Sequence, residues 1–302
     1  MRGLARLAMR GPLFAAGCAA VLALASMLLG LLLIPSAAVV ALTTLRFGAR
    51  EGLKVAAIAS AFVLVMGVGL GSASGRYLFV AVAAWLAAWL LACVLRVRHA
   101  QDWPLLLASL LVVIFAAGLR LAVGDVTAYW RANWKPLFEL LAKDAGARFS
   151  TEQMELITAH SHNGFIVAIF CMLVAIIMLA RWWQAALYNP QGFGTEFRDL
   201  RLPRSVTMVA GGLALVYAFG REGVLVFELA GDACVVLVVL FALQGLAVIH
   251  FMARVRGLAG AWLITLYATL VLVPQVAGPI LATTGLADNI VDFRRLSGAR
   301  PP

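Results

Sequence analysis

The sequence predicts an all-α, polytopic membrane protein with about nine spans, broken or half-spans included. Three observations lead there. Residues 11–45 contain no Asp, Glu, Lys, Arg or His, and several further apolar runs of spanning length follow. Of the 302 residues, 64% are hydrophobic and 13% charged, and the mean hydropathy is +0.98. Soluble domains carry about 25% charged residues, so this is not the composition of a soluble core. A bilayer's hydrocarbon is crossed by about 20 apolar residues in helical form, because an amide in lipid finds its partner only within its own helix. The apolar share is spread along the chain, so residues 1–302 are expected to form one integral membrane domain.

The elements follow in order. The first run is too long for one crossing, and Gly30 and Pro35 divide it into spans near 12–30 and 32–47. Pro35 lacks a backbone donor, which suggests a tight turn-back there. The head bearing Arg2, Arg6 and Arg10 looks like an export signal, but apolar character continues far past any cleavage site, so an uncleaved first span is expected. Further spans fall near 53–71, 77–95, 104–124, 164–186, 205–220, 231–253 and 258–282. Pro274 and Pro279 break the last run, leaving open a short half-span over 273–286 that turns back.

The segment 126–162 is the one sizeable polar piece. Trp130, Trp134, Leu137 and Leu141 recur at helical spacing beside Arg131, Lys135, Glu139 and Lys143, which predicts an amphipathic helix on the outer membrane surface. Pro136 either interrupts it or sits in its first turn. Ser150 followed by Gln153 reads as a capping box that opens a second helix leading into the next span. Residues 187–204 form a loop punctuated by Pro190, Gly192 and Gly194, and 284–302 form a charged tail.

Charge sets orientation. The net charge is +10, but the arginines lie between hydrophobic runs rather than in one patch, which excludes a nucleic-acid binder and points to loops facing anionic lipid. With the N-terminus cytoplasmic, Arg46, Arg50, Arg96, Arg98, Arg181, Arg198, Arg201, Arg204, Arg254 and Arg256 fall on the inner side, and the opposite short loops carry Arg76 and Arg221. This is the pattern of a bacterial inner-membrane protein. Nine spans would leave Arg294, Arg295 and Arg300 outside, whereas a final half-span would return them.

Several residues are candidates for chemistry. Glu228 and Asp232 lie four apart and share a helix face. A carboxylate at membrane depth is costly and marks an ion or substrate path, unless both acids sit solvated at the boundary. Arg120, Gln244 and Gln275 join them as substrate-binding candidates if all five converge on one cavity; otherwise Gln244 bonds a neighbouring helix. His160 and His162 form an HxH pair, but residues two apart do not share a helical face. Cys18, Cys93, Cys171 and Cys234 have no CxxC spacing. No GxSxG, HExxH or phosphate loop occurs; the glycines of 67–71 have no following lysine and read as packing residues. No catalytic residue, metal or cofactor is expected. Ala15/Ala19 and Ala16/Ala20 make small-xxx-small faces suited to internal packing or to a partner helix.

Three stretches together resemble the YybS-like family of predicted membrane proteins, which is defined by a domain of unknown function. They are Pro35 with Leu45-Arg46-Phe47-Gly48, then Gln244-Gly245-Leu246-Ala247-Val248-Ile249-His250, and the ending Gly285-Leu286-Ala287-Asp288-Asn289-Ile290-Val291-Asp292-Phe293-Arg294-Arg295. The layout of that family is similar to the substrate-binding membrane subunits of energy-coupling-factor vitamin transporters, in which alanine-rich faces dock a membrane partner. The resemblance therefore implies a small-solute transport component, with Ala15, Ala16, Ala19 and Ala20 as the docking face. No vitamin-contact motif is present. The alternative is a non-enzymatic assembly or scaffold protein that holds a cytoplasmic partner through Phe193, Phe197 and Arg198.

Overall fold

In the computed structural model, residues 2–67, 73–144, 149–221, 223–258 and 260–296 are described. The glycines beyond Gly67 in the 67–71 stretch, the side chain of Arg76, and Arg300 lie outside the described residues. Among the described residues there are helices and no strand. In order they are α1 (Arg2–Ala8), α2 (Pro12–Ala25), a 3-10 turn (Gly30–Leu32), α3 (Leu33–Phe47), α4 (Ala49–Gly67), α5 (Ala73–Arg98), α6 (Asp102–Val123) and α7 (Val126–Asp144). Then come α8 (Thr151–Tyr188), α9 (Gly192–Arg198), α10 (Arg204–Ala218), α11 (Leu225–Val255), α12 (Gly260–Leu272), α13 (Pro274–Val291) and α14 (Phe293–Leu296).

Five helical stretches are long and apolar enough to cross a membrane: Gly30–Phe47, Tyr77–Arg98, Asp102–Val123, Thr151–Tyr188 and Leu225–Val255. Helices α2, α10 and α12 are apolar but shorter. The prolines explain the differences from the expected boundaries. The first break falls at 26–32, ahead of Pro35, where the Ser26 hydroxyl donates to the Ala23 carbonyl at 2.6 Å. Pro35 sits in the first turn of α3, where a missing N–H leaves no bond unmade. The expected 258–282 span is two helices, divided at Val273, with Pro274 in the first turn of the second. Pro136 lies inside α7, which runs through it. Helix α8 is a single helix of 38 residues, and its start carries the expected reciprocal cap: the Ser150 N–H donates to Gln153 Oε1 at 2.9 Å and the Gln153 N–H to Ser150 Oγ at 3.1 Å.

The chain divides into two compact units. Unit 1 comprises Met1–Ala108, Cys171–Arg201 and Ala247–Gly257. Its centre is α3, in which every residue from Ser36 to Leu45 is buried. The Ser36 hydroxyl donates to the Ala19 carbonyl at 2.7 Å and accepts the Trp85 indole N–H at 2.9 Å, joining α2, α3 and α5 through one buried oxygen. Gly48 turns the chain from α3 to α4 at φ +103°, a backbone region that side chains resist. A Cβ at Gly52 would strike the Thr44 side chain, so these two helices meet closely. The alanine face is corrected here. Ala15, Ala16, Ala19 and Ala20 are buried within this unit, because their small size lets α2 lie against its neighbours, and they present no surface for docking.

Unit 2 comprises Ser109–Phe170, Leu202–Leu246 and Leu258–Pro302. Two glycines set its tightest crossing. A Cβ at Gly245 would run into the Leu281 carbonyl, and one at Gly285 into the Phe241 carbonyl, so α11 and α13 touch backbone to backbone. The aromatic edge of α7 packs on α8: the Trp134 indole N–H donates to Ser161 Oγ at 2.6 Å, and Trp130 meets Phe165 edge-on with centroids 5.1 Å apart. The Asp125 carboxylate accepts the Ala128 N–H at 2.9 Å and caps α7.

Candidate functional site

Unit 2 holds an ion cluster built from three helices. Arg120 lies in the last turn of α6, and Glu228 and Asp232 lie one turn apart at the start of α11. That start follows a turn in which Gly223 takes φ +78°. The Arg120 guanidinium donates Nε to Asp232 Oδ2 at 2.6 Å and Nη2 to Asp232 Oδ1 at 2.8 Å, and its Nη1 reaches Glu228 Oε2 at 2.6 Å. His162 of α8 bonds the same Asp232 oxygen through Nε2 at 3.1 Å. The planar fork of arginine fits a carboxylate on two atoms at once, which fixes orientation as well as charge.

Burial grades the members. The Asp232 side chain is 2% exposed, His162 6%, Arg120 13% and Glu228 35%. Asp232 and His162 are thus interior groups, and Glu228 is the carboxylate that faces outward. One guanidinium faces two carboxylates in this cluster. With Nε2 on the carboxylate, the other ring nitrogen of His162 is buried and has no hydrogen-bond partner among the described residues.

The cluster opens onto a recess of about 910 Å³, also lined by Thr127, Asn163, Tyr217 and Arg221. That is the size of a small-molecule site. Two glycines shape its wall: a Cβ at Gly231 would press on the Tyr217 ring, and one at Gly220 on Phe227. An adjoining cleft of about 420 Å³ between Gly124–Thr127 and Glu228 extends it past Asp125.

The five substrate-binding candidates do not share one cavity. Arg120, Glu228 and Asp232 converge. Gln275 is exposed in the first turn of α13 and belongs to neither polar centre. Gln244 is fully buried in a second network. Its Oε1 accepts the Leu202 N–H at 3.0 Å, and its Nε2 donates to Asp288 Oδ2 at 3.1 Å and to Asn289 Oδ1 at 2.9 Å. Asn289 donates onward to Thr207 Oγ1 at 3.1 Å, and Arg294 lies 3.5 Å from Asp288. This network ties the interior of α11 to the start of α10 and the end of α13. It pins the start of the tail and brings the second and third of the family-like stretches together.

Phe193 and Phe197 stack with centroids 6.4 Å apart, Phe197 packs edge-on against His250, and Arg198 donates to Thr195 Oγ1 at 3.2 Å. These are contacts inside unit 1, made by half-buried side chains of α9. Three residues that make ion pairs were not among the binding candidates of the sequence. His162 was legible as a member of a buried stripe, since Thr158, His162, Ile166 and Phe170 recur every four residues and are all buried, whereas His160 is exposed and bonds the Leu156 carbonyl. Arg181 and Glu196, which join α8 to α9 by a two-atom ion pair, carried no such signal. Among the described residues no group of three His, Cys, Asp or Glu side chains is placed to hold a metal ion.

Compared with protein-family models, curated proteins and solved structures, the chain matches none of them.

Proposed function

We propose that this chain is a small-solute transport component of a bacterial inner membrane, with the recess of unit 2 as its binding site. The observation that carries the reading is the cluster itself. Ionised side chains among apolar helices are expensive and are kept where a polar pathway or ligand uses them. Here Asp232 and His162 are buried, Glu228 faces a solute-sized recess, and His162 holds an uncommitted nitrogen. The lining offers Arg120 and Arg221 against Asp232 and Glu228, a balance that suits a small zwitterionic or hydroxyl-bearing solute better than a net ion. About nine crossings result when the shorter apolar helices and α4 are counted with the five long ones, and the arginine pattern supports a cytoplasmic N-terminus. The resemblance to the YybS-like family and to vitamin-binding membrane subunits supports the same class. The scaffold alternative has less behind it, because Phe193 and Phe197 spend their rings within unit 1.

A ligand-stabilisation screen of the full chain in lipid nanodiscs tests the proposal, using amino acids, nucleosides, sugars and vitamins. A true ligand at a hundred times its Kd adds about 2.7 kcal/mol to stability. At least one such compound is expected, and its effect should vanish in Glu228→Gln. A broad screen with no stabilising compound contradicts the proposal.

A further inference from the structure

Unit 1 contains a second recess, of about 610 Å³, whose lining is basic. Arg46 ends α3, Arg96 lies in the last turn of α5 and Arg181 comes from α8; their guanidinium groups border one space with Gln184, Tyr188 and Asn189. We propose that this recess binds a phosphate group, as a monoester or a diester.

Each arginine alone has an ordinary reading, since cations favour helix C-terminal ends. Their convergence does not. Glu196 is the one acidic residue of the lining, and Arg181 takes both its oxygens. That leaves two positive charges. Arg96 gives one nitrogen, Nη1, to the Leu45 carbonyl at 2.6 Å, and the guanidinium of Arg46 lies 4.3 Å from the centroid of the Tyr188 ring. Neither arginine bonds a carboxylate among the described residues. The Arg96–Leu45 bond ties the end of α5 to the end of α3, and Tyr188 carries the Arg46 guanidinium, so both arginines line the recess before any ligand arrives. Fixed arginine forks match tetrahedral oxyanions in shape and charge, and the amides of Gln184 and Asn189 and the hydroxyl of Tyr188 add neutral donors. Arg46, Arg96 and Arg181 all belong to segments that the charge pattern assigns to the cytoplasmic side, where the leaflet itself is anionic. The phosphate can therefore come from a phospholipid headgroup or from a free phosphorylated solute.

The experiment uses the full chain in nanodiscs of phosphatidylcholine alone or with a third phosphatidylglycerol, each titrated with inorganic pyrophosphate, and reads the thermal midpoint and lipid retained by native mass spectrometry. A headgroup source predicts a higher midpoint and retained phosphatidylglycerol in the mixed discs; a free source predicts saturable stabilisation by pyrophosphate in the neutral discs. In either case Arg46→Gln should weaken the response at least tenfold, because no backbone bond depends on that side chain. Arg98→Gln, which removes a charge that lies over Trp103 and outside the recess, should leave it unchanged. Arg96→Lys keeps the charge, loses the fork and should weaken it in part. No response in either disc, or equal losses in Arg46→Gln and Arg98→Gln, overturns the proposal. Glu228→Gln should have no effect here, which separates this site from the recess of unit 2.

Discussion

Replacing Asp232 by Asn isolates the ion cluster, because it keeps the side chain's shape and removes its charge. In the wild type Arg120 makes three short bonds to carboxylate oxygens, two of them to Asp232. An asparagine amide offers one acceptor and opposes a second donor to the guanidinium fork. Breaking a buried pair while its partner stays charged costs about 3–5 kcal/mol. Glu228 remains on Arg120 but is the more exposed partner, so the loss should lie near the lower end, at about 3 kcal/mol. The assay is reversible unfolding of purified protein in mixed detergent micelles, followed by circular dichroism. The double variant Arg120→Gln/Asp232→Asn removes both charges and should recover more than half of the loss. A cost below about 1 kcal/mol, the range of an exposed pair, would refute the claim that the cluster is desolvated.

Three further outcomes are expected. Ser36→Ala should destabilise unit 1 by about 1–3 kcal/mol, because it orphans the buried Trp85 indole; the tryptophan emission maximum and the unfolding midpoint report it. Gly285→Ala should cost about 1–3 kcal/mol or more, since its methyl meets the Phe241 carbonyl, and crosslinking yield between cysteines placed on α11 and α13 should fall. Gln244→Leu leaves the Leu202 N–H and Asn289 Oδ1 without their acceptor or donor from Gln244, and should cost about 2–3 kcal/mol and raise proteolysis of the tail.

Much of the helical plan was legible because lipid imposes it: a run of apolar residues has to be helical, and capping boxes and first-turn prolines mark where helices begin. Ser150 with Gln153 and the division at Pro274 were readable for that reason. Pro35 misled because a proline in a helix's first turn leaves no hydrogen bond unmade, so it need not sit at the break. The opening of α8 was legible at Ser150, whereas its polar first turns, with Glu152 and Glu155, do not announce that they run into the apolar part as one helix. An alanine stripe states that a backbone can come close, not whose backbone comes; in α2 it is the unit's own. Of the site, Glu228 and Asp232 were readable from their spacing alone. Arg120 was a candidate and His162 lay on a readable stripe, but their pairings with Asp232, 112 and 70 residues away, are encoded by no local pattern. Gly245 and Gly285 lie in two of the family-like stretches, but their meeting is equally non-local.

The central claim is that the recess beside Arg120, Glu228 and Asp232 takes up a solute. Equilibrium binding of a stabilising compound to nanodisc-embedded wild type and Glu228→Gln, with folding of both checked by circular dichroism, tests it most directly. The account predicts saturable binding at one site per chain, weakened at least tenfold by the substitution while the helical signal and melting profile are retained. Equal affinity in the two proteins would contradict it and move the ligand elsewhere on the molecule.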